Sequence, residues 1–95
     1  MAAYMILDID VKDPGEYAKY KDLAAPVVAA FGGKYLARGG KAETLEGKWI
    51  AKRLVILEFP NAARAKEWLN SKEYSAARAL RHKTADSNAI LVDGV

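Results

Sequence analysis

A strand, an acidic residue, a turn, a proline and a helix follow one another twice in this chain, from Leu7-Asp8 to Pro14 and again from Leu57-Glu58 to Pro60. Within 95 residues that duplication points to two similar halves that share one sheet. In the first half, Met5, Leu7, Ile9 and Val11 alternate with Tyr4, Ile6, Asp8 and Asp10 over residues 3 to 11, the period of a strand with one face fully buried. Asp13-Pro14-Gly15-Glu16 then supplies a capping carboxylate, a proline at the first helical position and a glutamate at the third. Tyr17, Tyr20, Ala24, Val27 and Phe31 follow at spacings of three and four, which gives a helix one apolar stripe. Pro26 is expected to kink that helix, and Gly32-Gly33 to end it.

The second half opens with a short strand, Lys34 to Arg38. A polar connection from Gly39 to Gly47 leads into a long strand, Lys48 to Phe59, with Leu54-Val55-Ile56-Leu57 at its heart. Pro60-Asn61 starts a helix bearing Ala65, Trp68 and Leu69, and Asn70-Ser71 breaks it and caps a second piece carrying Tyr74, Ala77 and Leu80. Ala89 to Asp93 closes the chain as a strand. The order is βαββαβ. Right-handed crossovers turn it into an α+β, ferredoxin-like sandwich: a four-stranded antiparallel sheet in spatial order 4-1-3-2 with the helices on one face. A chain of this length is expected to form one domain across residues 1–95.

Composition decides what covers the other face. Apolar residues make up 52% of the chain, but 18 of them are alanine and there is no cysteine to staple the fold, so the core is thin. Tyr4 and Ile6, with matching positions on the third strand, leave the helix-free face apolar, which predicts a homodimer through that open sheet face. The absence of cysteine also excludes thiol catalysis and cysteine-held metals, and a single histidine, His82, excludes a histidine-rich metal site. No apolar run approaches the roughly 20 residues that span a bilayer, and Met1-Ala2-Ala3-Tyr4 has no basic leader, so no membrane partner and a cytoplasmic location are expected. The net charge of +3 comes from an excess of Lys and Arg in residues 61 to 83, which reads as a solvated surface and not as a nucleic-acid face. The third strand lacks the stacking aromatics of an RNA-binding sheet, and neither glycine pair is followed by Lys-Ser/Thr, so neither nucleic acid nor a nucleotide cofactor is implied.

The topology gathers polar residues at one edge of the sheet. Asp8 and Asp10 end the first strand, Arg38 ends the second, Trp49 and Arg53 begin the third, and Tyr17 and Tyr20 lie on the first turns of the first helix. Tyr74, Arg78, Arg81 and His82 arrive from the last helix, and the loop carrying Glu46 can fold over the same edge. Arginines beside tyrosine hydroxyls make a cup for a small anion, because a guanidinium fork matches a carboxylate and a tyrosine offers an apolar wall with a polar tip. Each residue also has a structural explanation: Arg53 can pair across strands with Asp8 or Asp10, and Tyr17 and Tyr20 sit on the core stripe. His82, between Arg81 and Lys83 at a helix end, reads as a surface residue before a general base. Glu58, at the far end of its strand, reads as an interface or turn contact.

The segments Gly32-Gly33-Lys34-Tyr35-Leu36-Ala37-Arg38-Gly39-Gly40, Leu45-Glu46-Gly47-Lys48-Trp49 and Arg53-Leu54-Val55-Ile56-Leu57-Glu58-Phe59-Pro60, then Trp68 with Ser71 and Tyr74, together resemble domain-of-unknown-function family 1330 of the dimeric α/β-barrel superfamily. One departure is Leu69-Asn70 after Trp68, where a second aromatic is expected. The resemblance implies a ferredoxin-like protomer that dimerises through its sheet face into a barrel. It carries Arg38, Glu46, Arg53, Glu58 and Tyr74 over as ligand-site candidates, beside Tyr20 and Asp8 from the topology. The leading functional expectation is a protein that binds a small carboxylate-bearing molecule, or a cofactor-independent enzyme of the kind found elsewhere in that superfamily. The alternative is a structural or regulatory homodimer with no catalytic activity.

Overall fold

The alternation of the first strand carries through into the fold. In the computed structural model, which describes all 95 residues, β1 (Ala3–Val11) buries Met5, Leu7 and Ile9 and leaves Tyr4, Ile6 and Asp8 half-buried on its other face. It is followed by α1 (Pro14–Ala30), β2 (Lys34–Arg38), β3 (Leu54–Phe59), α2 (Ala62–Asn70), α3 (Lys72–Thr84) and β4 (Ala85–Asp93). The sheet order is β2-β3-β1-β4, with every neighbouring pair antiparallel. This is the expected 4-1-3-2 arrangement read from the opposite edge.

Each helix starts where a short polar side chain accepts from its first turn. Asp13 accepts from the Glu16 N–H at 3.2 Å, Asn61 from Arg64 at 2.8 Å and Ser71 from Tyr74 at 3.1 Å. Pro26 sits inside α1, which nevertheless runs unbroken to Ala30, and Gly32 turns the chain out of it at a φ of 77°.

Two strand boundaries differ from expectation. Leu54, and not Lys48, begins β3, because β2 is only five residues long and offers nothing for residues 48 to 53 to pair with. Those residues bond instead to the side chain of Asp8. β4 begins at Ala85, four residues before Ala89, since β1 pairs with it along its whole length from Ala3–Asp93 to Val11–Ala85.

The barrel is a correction. The sheet is open, with β2 and β4 as its two unpaired edges. Four strands, one of them five residues long, cannot close around side chains of their own, and closure takes about eight. Here the helices fill the core, and the chain is an open ferredoxin-like sandwich.

That core is aromatic. Trp68 packs in tilted contact with Tyr74, ring centroids 4.3 Å apart, and with Phe59 at 5.4 Å, and all three are essentially fully buried. Gly33 permits the last turn of α1 to approach Phe59: a Cβ there would lie 2.7 Å from Phe59 Cε1 and 2.9 Å from Val28 Cγ1. Gly33→Ala is therefore expected to destabilise the fold by about 1–3 kcal/mol through overpacking, read as a lower urea midpoint. An unchanged midpoint would show that Phe59 can move aside at no cost.

Candidate functional site

α1 packs against α3, and between α1 and the β2–β3 side of the sheet runs a cleft of about 380 Å³, including the part open to solvent. The space between its walls is narrow, enough for little more than a water molecule. Leu7, Val28, Leu57 and Trp68 form a buried floor, Tyr17, Tyr20 and Tyr35 line the walls, and Lys21, Arg38 and Arg53 stand at the less buried rim.

Arg53 is held by the local backbone. Its carbonyl accepts from the Ile9 N–H at 2.9 Å, which ties residue 53 to β1 one residue before β3 begins. Its guanidinium lies directly against Gly39, where a Cβ would displace the flexible end of the arginine, and Gly39 has a φ of 72°, the left-handed backbone that favours glycine. The guanidinium carbon is 5.7 Å from the centroid of Tyr17, and Nε is buried with no partner. Arg38 lies over the ring of Tyr35 at 4.6 Å. Such cation–π contacts position the two arginines, at about 0.5–1 kcal/mol each at exposed sites.

The charge balance is one-sided. The cleft's lining has three cations and no carboxylate, and none of Lys21, Arg38 or Arg53 takes part in any of the four ion pairs of the molecule. A fourth cation, Arg81, is 3% exposed, donates from Nη1 to Ser87 Oγ and has a buried Nε without a partner. No acid pairs with it either.

The phenols are set to remain protonated. Burial pushes Tyr17 above the usual tyrosine range, partly offset by the Arg53 guanidinium beside it. Tyr20 is pushed up further by burial and by Tyr74, whose hydroxyl is 2.7 Å from its own. Tyr35 is raised by burial while Arg38 pulls the other way. With no histidine or carboxylate in the lining, the cleft is equipped to donate hydrogen bonds and stabilise negative charge.

Of the residues expected at the site, Arg38, Arg53 and Tyr20 share this cleft. Tyr74 lies behind Tyr20, fully buried and joined to it by the hydroxyl pair. Asp8 is on the other face of the sheet, where its carboxylate accepts from Trp49 Nε1 at 2.8 Å and from the Lys52 N–H at 2.9 Å. Glu46 is exposed on the loop between β2 and β3, bordering an open hollow of about 840 Å³ with Leu45, Trp49 and Ile50. Glu58 pairs with Lys34 at 3.2 Å at the far end of β3 and accepts weakly from the Tyr4 hydroxyl at 3.5 Å. His82 is exposed on α3, its pKa lowered by partial burial and by neighbouring Arg81 and Arg78.

Lys21, Tyr35 and Trp68 join the cleft without having been singled out for it. Lys21 lies one turn after Tyr17, and Tyr35 two residues along from the glycine pair. The buried state of Arg81 was legible in its spacing, four after Ala77 and seven after Tyr74, on the stripe that α3 turns inward.

The sequence matches the profile of the domain of unknown function DUF1330 over residues 2–95. No curated protein matches it. Among solved structures, a protein of unknown function from Rhodopseudomonas palustris is similar at 21% identity and a TM-score of 0.78, over 99% of this chain and 82% of that one. SnoaB, a cofactor-independent oxygenase from Streptomyces nogalater, is similar at 11% identity and a TM-score of 0.67, over 99% and 93%. A dimeric ferredoxin-like protein of unknown function from Jannaschia sp. CCS1 is similar at 9% identity and a TM-score of 0.68, over 99% and 100%. At these identities the likeness is one of fold. No helix in the molecule is long and apolar enough to cross a membrane.

The Asp8 contacts carry a pH prediction. The hydrogen bond from Trp49, followed by those of the 52–53 backbone, holds the Asp8 carboxyl below its usual value of 3.8. A folded pKa below the unfolded one means that the stabilisation is complete above about pH 4 and is lost as pH falls through the lower folded value. The Trp49 indole N–H resonance is therefore expected to shift on the acid limb in the natural protein and to show no such titration in Asp8→Asn. A Trp49 signal that does not move in acid would remove the tether.

Proposed function

The chain belongs to the domain-of-unknown-function family DUF1330, and we propose that within that family it binds a small, flat, carboxylate-bearing molecule in the cleft between α1 and the sheet. The observation that carries this reading is the set of three rim cations with no acid among them. Unpaired cations grouped at a concave site keep their hydrogen-bonding capacity for a ligand, and a planar fork suits a carboxylate. The space between the tyrosine rings is about that of one water, so the walls must part for any ligand, and a planar body asks the smallest movement of them.

The fold it shares with the Streptomyces nogalater oxygenase supports carrying the reading one step further, to a cofactor-independent reaction of the bound molecule. In that reading the protein's own part is to orient the ligand and to lower the free energy of its anionic form by means of Arg38, Arg53 and Lys21. The protonated phenols would act as donors and not as bases.

A second copy of the chain is the proposed partner of the open sheet face. Ile90 and Val92 are 61% and 47% exposed there, beside half-buried Ile6 and Ile56, and Trp49 extends the apolar patch past Asp8. The dimeric relative from Jannaschia supports a copy of the same chain over other partners. Sedimentation at micromolar concentration is expected to give a mass of about twice 10.4 kDa, and Ile90→Asp to reduce it to that of one chain. A single-chain mass for the natural protein would remove the dimer.

Benzoate provides the test of the cleft. Millimolar benzoate is expected to raise the melting temperature of the natural protein by mass action, by a few degrees, and to have no effect on Arg53→Ala. Equal shifts in the two proteins, or none in either, would end the anion-binding reading.

A further inference from the structure

Arg53 lines the cleft from a position just outside the sheet ladder. The pairing of β1 with β3 ends at Asp8–Leu54, and residues 39 to 53 belong to no helix or strand. An arginine at the root of such a loop shares the loop's freedom unless its backbone is pinned. Two bonds to consecutive residues of β1 pin it. The Ile9 N–H donates to the Arg53 carbonyl at 2.9 Å, and the Lys52 N–H donates to Asp8 Oδ1 at 2.9 Å. The bonds fall on either side of the Arg53 Cα, so together they fix the direction in which its side chain leaves the backbone. The first needs only the main chain of β1, but the second depends on the side chain at position 8. The other oxygen of that side chain, Oδ2, accepts from Trp49 Nε1 at 2.8 Å and holds the loop further back.

We infer that Asp8 is a positioning residue of the cleft: from the opposite face of the sheet, its carboxylate holds the backbone of residues 52 and 53 so that the Arg53 guanidinium stays beside Tyr17 and against Gly39, placed to receive an anion. This role rests on the anion-binding reading and adds to it a residue that never touches the ligand. Asp8 takes part in none of the four ion pairs of the molecule, and its strand neighbour across β4 is the uncharged Asn88. Its hydrogen-bond partners are the two loop donors. A purely electrostatic role has the opposite sign. A carboxylate repels an anion bound nearby, and distance weakens that repulsion without reversing it. A tether instead favours binding, because a ligand need not bear the cost of ordering a loose arginine.

That difference in sign makes the role testable by calorimetric titration with benzoate. Asp8→Ala, which removes both acceptors, is expected to bind benzoate about threefold to tenfold more weakly than the natural protein although a negative charge has gone. Asp8→Asn, equally uncharged but with one acceptor left, should fall between the two. The strand ladder does not use the Asp8 side chain, so both variants keep the fold. Were charge the deciding factor, both would bind more tightly than the natural protein. A second readout needs no ligand. Arg53 Nε is buried without a partner, so its N–H resonance is expected to exchange slowly with water in the natural protein and several times faster in Asp8→Ala. If Asp8→Ala binds benzoate as tightly as the natural protein or more so, while Arg53→Ala does not bind it, the positioning role is overturned and the carboxylate reading stands. Unchanged exchange at the Arg53 Nε–H overturns the role as well. If benzoate does not bind the natural protein, both readings fall.

Discussion

Trp68 packs against Tyr74 at 4.3 Å, and the Tyr74 hydroxyl meets that of Tyr20 at 2.7 Å, so one aromatic column ties α2 to α3 and α3 to α1. The rest of the architecture depends on this column. The helices have no covalent link, and the chain pads its core with alanine, so large rings supply what small side chains cannot. Each aromatic contact adds about 0.5–1.5 kcal/mol beyond the area it buries. By fixing α1 against α3 and not flat upon the sheet, the column also leaves the β2–β3 side less covered, and that gap is the cleft. Its base is Trp68 and one wall is Tyr20, so the packing that stabilises the protein also shapes its site.

The period of a strand sorts the charges. Asp8, Asp10 and Glu58 fall on the open face, where Lys12 and Lys34 pair with two of them in exposed bridges that contribute little. Arg38 and Arg53 line the cleft on the helix-covered side, and Arg81 is buried behind it. A one-residue change of register would exchange the two sets, so the separation is as firmly specified as the hydrophobic pattern itself. It leaves the acids on one side of the sheet and a field of uncompensated cations on the other.

This sorting also explains what could be read before any coordinates. The elements, the strand order and the helix caps follow from alternation, Asp13-Pro14, Asn61 and Ser71, because local rules and global fold agree there. The gathering of residues at one sheet edge was legible as well, but an edge has two faces. Asp8 and Arg53 reach the same edge and are parted by the sheet, and Glu46 remains with a loop whose path is set by Asp8 bonds that no periodicity encodes. Tyr35 and Arg38 both line the cleft only because a bulge lies between Tyr35 and Ala37. Simple alternation would have placed residues 35 and 38 on opposite faces.

The unpaired polar atoms bear on whether the cleft is for a ligand or is a by-product of packing. Four buried side-chain nitrogens have no partner: those of Arg53, Trp68, Arg78 and Arg81. Two of the four line the cleft, and Arg81 contributes its charge behind the tyrosines. A buried donor left unpaired costs about 1–3 kcal/mol, which is a large share of the stability of a chain this short. A homodimer serving structure alone could place Phe at position 68, keeping a ring in the column without an N–H donor, and leave Arg53 out in solvent at no loss to its sheet face, which lies on the other side of the molecule. The chain keeps both nitrogens buried without a partner beside one cleft, and the Arg53 guanidinium lies against Gly39, whose φ of 72° favours glycine. The proposed anion-binding role would account for donors left unpaired at that cleft, whereas a purely structural role would not require them.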